Sequence, residues 1–264
     1  MTLAWWQGLI LGLVQGLTEF LPISSSGHLV LAEELVGFRP PGVFFEVIVH
    51  LGTLLSVVIA YRKRIVELTR GLFGGGRTAW TYAGLLVVAT IPAGAAGILF
   101  RDYFERTFHS TAALGWQFLL TAAVLWSTRF AITRARTSTV TPGRALLIGI
   151  GQAVAIIPAI SRSGMTIAAA LWTGVAPAVA AEFSFLMSIV VIAGSGVLQI
   201  RDVPPGTDLL GPGLVWAFVA ALVSGVVAIK LLVALLRSSK FHLFAPYCAA
   251  LGVFCLVWFG WLGR

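Results

Sequence analysis

Apolar residues run along this chain in blocks, and what sets the blocks apart is how they are interrupted. Leu3 to Leu21 is apolar apart from Gln7, Gln15, Thr18 and Glu19. Pro22 then breaks it, and the next apolar piece, Leu29 to Val36, is too short to cross a bilayer. A helix, a serine-rich break and a half-helix outline a re-entrant hairpin. Spans are predicted over Phe44 to Ala60, Ala79 to Phe100, Ala112 to Thr128, Phe183 to Ile200, Gly213 to Leu236 and Leu243 to Leu262. Between the third and fourth, Ala145 to Val175 is divided by Pro158 and ISRSG. Each piece has about 12 to 13 residues, nearer 20 Å than 30 Å in length, which predicts a second hairpin.

Loop charge orients these elements. Segments 61–77, 129–144 and 237–240 hold eleven of the eighteen Lys and Arg residues and are expected on the cytoplasmic side. The connection Arg201 to Asp208 is net acidic, and Arg101, Asp102, Glu105 and Arg106 form a mixed-charge loop. Alternation then works if both hairpins return to their starting sides, the first entering from outside and the second from the cytoplasm. The expected fold is an all-α polytopic membrane protein with six full spans and both termini outside.

The two halves also repeat in sequence. Gly12 matches Gly149, Gln15 matches Gln152, and ISSSG at 23–27 matches ISRSG at 160–164, all 137 residues apart. Glu46 matches Glu182 at a spacing of 136, each near the head of its span. The expected organisation is one membrane domain over 1–264, with an inverted repeat of about 1–135 and about 140–264. Each half is one hairpin and three spans, and the polar site of such a fold lies where the broken elements meet.

Composition changes the picture in one respect. At 58% hydrophobic and 11% charged over 264 residues, the chain is too apolar for a water-soluble domain. The net charge of +8 therefore reads as topology, and nucleic acid is not an expected partner. The N-terminus, MTLAWWQG, lacks the pattern of a cleaved signal peptide. Cys248 and Cys255 lie on one predicted helix about 10 Å apart, too far for a disulfide. Trp5, Trp6, Trp80, Trp258 and Trp261 suit interfacial belts.

Ionisable groups inside an apolar block are the candidates for chemistry. In SSSGHL, Ser24, Ser25, Ser26 and Gly27 precede a short helix, so amides and hydroxyls can converge on an anion. Ser161, Ser163, Gly164 and Thr166 in SRSGMT offer the same, together with Arg162, whose guanidinium suits bidentate phosphate binding. Two facing tips would clamp a phosphate. Glu19 and Gln15 share a helix face four residues apart, and with Glu46 they could supply oxygens to Mg²⁺ or Ca²⁺. The competing reading is a direct Glu19–Arg162 pair that makes burial tolerable. His28 has the chemistry of an acid, base or nucleophile, whereas His50 reads as structural.

These residues carry a resemblance. QGLTEFLPISSSGH at 15–28 resembles the first motif of the undecaprenyl-diphosphate phosphatases of the bacitracin-resistance type. PAISRSGMT at 158–166 resembles the second, and EFSFLMSI at 182–189 the segment after it. The similarity runs from about residue 8 to the C-terminus. It implies an integral membrane enzyme of the bacterial plasma membrane that hydrolyses undecaprenyl diphosphate to undecaprenyl phosphate and phosphate. That reaction recycles the lipid carrier of cell-wall synthesis. A divalent metal requirement and an active site on the outer face come with the family.

By the same resemblance Glu19 falls on the motif's second acidic position, Ser25 on the proposed nucleophile and His28 on its histidine. Ser161, Arg162 and Thr166 fall on the second motif, and Gln15 and Glu182 are supporting positions. Two departures stand out: Gln15 where many members have Glu, and Ala159 where glycine is common. The nucleophile stays open between serine, histidine and water. The alternative function is a polyprenyl-phosphate flippase using the same inverted-repeat site. Expected partners are a polyprenyl diphosphate and the bilayer, with assembly open between a monomer and a homodimer.

Overall fold

The computed structural model describes residues 3–38, 44–100, 111–199 and 211–259. The mixed-charge loop at Arg101 to Arg106, the acidic connection at Arg201 to Asp208, Trp261 and the end of the last predicted span at Leu262 lie outside the described residues. Among those described, the chain is helical apart from turns and one isolated bridge between Thr137 and Val175. The helices are α1 (Trp5–Phe20), α2 (Ser25–Val36), α3 (Phe44–Ala60), α4 (Arg62–Phe73), α5 (Arg77–Leu99), α6 (Thr111–Ala131), α7 (Pro142–Val154), α8 (Arg162–Trp172), α9 (Pro177–Gln199), α10 (Pro212–Arg237) and α11 (Phe244–Val257).

Both interrupted blocks fold back on themselves. α1 stops where Pro22 follows, and the chain turns over Leu21 to Ser24 into α2. The ends of this pair come together again where Gln7 Nε2 donates to the Val36 carbonyl at 3.1 Å. α7 and α8 repeat the arrangement, with Arg144 Nε donating to the Thr173 carbonyl at 3.1 Å. Their two tips face each other in the middle of the molecule, where Ser163 Oγ donates to the Leu21 carbonyl at 3.2 Å.

The pairs are held by backbone-close packing. α1 lies along α10, α7 along α5, α3 against both α10 and α9, and α6 against α11. The α1–α10 seam is made of Gly8, Gly12 and Gly16 on one side and Gly213, Ala217 and Ala221 on the other. A Cβ at Gly8 would stand 1.9 Å from the Gly213 carbonyl oxygen, and one at Gly12 2.2 Å from that of Ala217. Small residues are what let two helix backbones approach so far inside a bilayer, where no hydrophobic force drives them together. The Gly149 face of α7 meets Ala89 and Pro92 of α5 in the same way.

Among the described residues, three helices, α5, α9 over Pro177–Val197 and α10, are long and apolar enough to cross a membrane. α3 and α4 make a fourth if the pair, bent by 79°, counts as one broken span. This is fewer than the six expected spans, for identifiable reasons. α3 has 17 residues before its bend, and the described part of α11 has 14. α6 carries Gln117, Thr121 and Thr128, all turned into the core. Two boundaries also differ. The basic segment 61–77, read as a loop, is mostly the helix α4, and α9 begins at Pro177, six residues before the predicted Phe183. Proline at the first helical position has no N–H to lose and a fitting φ, so it starts the helix early.

Candidate active site

The two tips carry the same cap. Ser24 precedes α2 and accepts from the Gly27 amide at 3.5 Å, while Ser161 precedes α8 and accepts from the Gly164 amide at 3.0 Å. Each cap hydroxyl also meets the serine two residues on, Ser26 at 3.3 Å and Ser163 at 3.2 Å. A serine N-cap satisfies one of the free amides of the first turn and leaves the others pointing outward. The helix starts are fixed by local chemistry in each half, and the juxtaposition of the halves then brings two such starts together.

Between them stands Glu19, from the last turn of α1, with its side chain 3% exposed. One carboxylate oxygen is paired with Arg162 Nη2 from the opposite tip. The other accepts from Ser25 Oγ at 2.5 Å and from Gln15 Nε2 at 3.0 Å, and lies 3.8 Å from His50 Nε2. The direct Glu19–Arg162 pair is therefore formed. It does not exhaust the guanidinium, which has five N–H donors, gives one nitrogen to Glu19 and keeps 20% of its side-chain surface open. An acid, a hydroxyl and a cation converge here although they come from α1, α2 and α8.

His28 sits one turn into α2. Its Nδ1 is 2.7 Å from the Ser24 carbonyl and its Nε2 is 2.6 Å from Tyr247 Oη. A carbonyl can only accept, so Nδ1 carries the proton, and in the neutral ring Nε2 accepts from the tyrosine hydroxyl. Tyr247 stacks on the imidazole with centroids 5.6 Å apart and planes at 12°, and Phe118 meets it edge-on. The base facing Ser25 in this arrangement is Glu19, while both nitrogens of His28 are otherwise engaged.

The remaining expected residues divide by accessibility. Ser25, Ser26, His28 and Arg162 are partly exposed and reachable. Ser24, Gly27, Ser161, Ser163, Gly164 and Thr166 are buried and hold the tips in shape. Thr166, for example, bonds Ser184 Oγ of α9 at 2.7 Å and the Arg162 carbonyl at 2.8 Å. Gly27 is required by space: a Cβ there would stand 2.5 Å from Phe118 and 3.1 Å from the Ala159 side chain. Glu182 is not brought to the tips. Arg64 Nε donates to its carboxylate at 2.9 Å and Tyr82 Oη at 3.4 Å.

Among the described residues, no three or more His, Cys, Asp or Glu side chains gather as a metal site. Two buried acceptors are nevertheless without a protein partner beside the Glu19–His50 contact: Oε1 of Gln15 and Oε2 of Glu46, whose carbonyl holds His50 Nδ1 at 2.7 Å. Such oxygens fit an ion of the Mg²⁺ type that completes its shell with water and substrate phosphates.

Reading the sequence missed Tyr247, Phe118 and Thr121. Thr121 Oγ1 donates to the Ala159 carbonyl at 3.1 Å and ties the second tip to α6. None of these sits in a polar motif; each is a single residue on an apolar helix, and only the spatial neighbourhood reveals it.

The chain matches the family described as bacitracin resistance protein BacA over residues 8–254. A protein of Carboxydothermus hydrogenoformans named undecaprenyl-diphosphatase is 41% identical over 95% of this chain and 96% of its own. Proteins of the same name from Desulfatibacillum aliphaticivorans and Desulfosudis oleivorans are 40% and 41% identical, each covering at least 96% of both chains. With a family match over residues 8–254 and about two-fifths identity along nearly the whole of both chains, the chain is a multi-pass membrane protein that belongs to the BacA bacitracin resistance family.

Proposed function

We propose that this protein hydrolyses undecaprenyl diphosphate to undecaprenyl phosphate and inorganic phosphate. The observation that carries the reading is the Ser25–Glu19–Arg162 contact at the meeting of the two tips, in a chain about two-fifths identical to proteins named for that activity. Arg162 and the outward amides of α2 and α8 hold the diphosphate and offset the charge that grows on its oxygens. Ser25 Oγ attacks the terminal phosphorus as its proton passes to Glu19 Oε2, and the bond to the bridging oxygen breaks, releasing the lipid monophosphate. Water then cleaves the phosphoserine: Glu19 returns its proton to Ser25 Oγ as the bond to phosphorus breaks, and His28 Nε2, exchanging the Tyr247 hydroxyl for that water, takes the proton of the water. A divalent ion, Mg²⁺ or Ca²⁺, held by Glu46, Gln15 or Glu19, would supply further neutralisation of phosphate charge.

The proposed setting is a bacterial plasma membrane, with α1–α2 entering from outside, α7–α8 from the cytoplasm, and the site open to the outer face. The inverted repeat of about 1–135 and about 140–264 is supported by matched packing: α1 on α10 corresponds to α7 on α5, and α3 on α10 to α9 on α5. No observation favours the flippase alternative.

Phosphate release from undecaprenyl diphosphate by the protein in nanodiscs tests the proposal. Wild-type turnover lost in Ser25→Ala is expected; full turnover in that variant would shift the attack to water, and no release by the wild type would end the reading.

A further inference from the structure

Helix α4 leaves the end of α3 at 79° and buries none of its residues. Its inner side is held to the next helix by Trp80 Nε1 donating to the Leu72 carbonyl at 3.2 Å. Its outer side presents Arg62, Lys63, Val66, Glu67, Arg70 and Phe73, all exposed. The first five line a shallow groove of about 520 Å³.

The charges on that side do not cancel. Glu67 is matched by Arg64 at 3.0 Å, and Arg64 itself turns inward to Glu182 at 2.9 Å. Among the described residues, Arg62, Lys63 and Arg70 have no carboxylate partner. Beside these three cations, Val66 is 46% and Phe73 90% exposed. A disordered basic loop would satisfy the orientation rule equally well. Here the chain folds so that unpaired cations and apolar side chains share one side of a helix lying across the end of a span.

We infer that α4 is an interfacial helix whose Arg62, Lys63 and Arg70 bind the headgroups of anionic phospholipids in the leaflet it lies against. Guanidinium groups match phosphate oxygens, and the ammonium of Lys63 adds a point charge. Val66 and Phe73 dip into the boundary between headgroups and acyl chains, as the apolar side of a surface helix does. The Arg64–Glu182 bond keeps the helix at a fixed angle to α9, so the cations stay at headgroup level. This lipid contact is separate from the phosphate-binding tips and stands or falls independently of the catalytic proposal.

The test uses the full-length protein in bilayers of phosphatidylglycerol and phosphatidylcholine. Spin-labelled versions of each lipid report the ratio in which the protein immobilises them. The wild type is expected to prefer phosphatidylglycerol, and the preference to fall by about twofold or more in the double variant Lys63→Gln with Arg70→Gln, since each basic residue near a charged surface contributes a few-fold in affinity. High salt should lower the wild-type preference in the same way, without any substitution. Arg134→Gln with Arg136→Gln, between α6 and α7, should leave it in place. An unchanged ratio in the α4 variant, no response to salt in the wild type, or an equal fall in the control variant would overturn the inference.

Discussion

The two tips share a plan and differ in charge. Each is a helix, a short break, a serine cap and a glycine three residues after it. In the first, Glu19 closes the preceding helix and Ser25 opens the next; in the second, the positions 137 residues on are Ile156 and Arg162. One tip carries the carboxylate and the Ser25 hydroxyl, the other the cation. Neither tip is a site alone, and their complementarity offsets part of the cost of burying a charge in each. The glutamines one turn earlier diverge in the same sense. Gln15 donates to Glu19, while both polar atoms of Gln152 are buried without a partner among the described residues.

The strongest way to break this comparison is Arg162→Ala. It leaves Glu19 buried and uncompensated, so phosphate release should fall by at least about 10²-fold, and the protein should lose about 3–5 kcal/mol in a denaturation series. Retained turnover would mean that the halves do not depend on each other. Gly27→Ala comes next. The new methyl meets Phe118 and Ala159, and overpacking of this kind costs about 1–3 kcal/mol, measurable as a lower melting temperature.

The glutamine pair offers an opposite-sign test. Gln15→Met removes a bond to Glu19 and should destabilise by about 1 kcal/mol. Gln152→Met removes two unmatched polar atoms and should be neutral or stabilising by about as much. Equal effects of one sign would erase the distinction.

The smallest expected effect is at Ala159, whose φ of 57° lies in the left-handed region. Ala159→Gly should raise stability by roughly 1 kcal/mol and leave turnover in place, because glycine enters that region without steric cost.

Most of this arrangement was legible in the sequence because it is written locally. Prolines 22 and 158 mark the breaks, the serine–glycine pattern marks the caps, and a spacing of 137 relates the two serine–glycine tips. The left-handed backbone at Ala159 is local too, and it falls on a position where the family resemblance leads one to expect glycine. What the sequence did not yield is of two kinds. The Tyr247 bond to His28 joins residues 219 apart through a side chain on an otherwise apolar helix, and no periodicity encodes it. The helix α4 was hidden for the reverse reason. Its charges satisfied the loop-charge rule so fully that the apolar spacing of Ile65, Leu68 and Leu72 went unread.

The seam between α1 and α10 has a consequence for how this site can drift. Where helices meet through large side chains, a substitution on one is absorbed by new rotamers on the other, and a residue at the helix end moves by fractions of an ångström. Gly8, Gly12 and Gly16 leave no such cushion, because backbone rests on backbone. α1 then behaves as a ruled edge, and the carboxylate of Glu19 is registered against Arg162 by the peptide chain itself. Exchanges elsewhere in the core can accumulate without detuning the pair, whereas a single methyl on the edge shifts everything at its end.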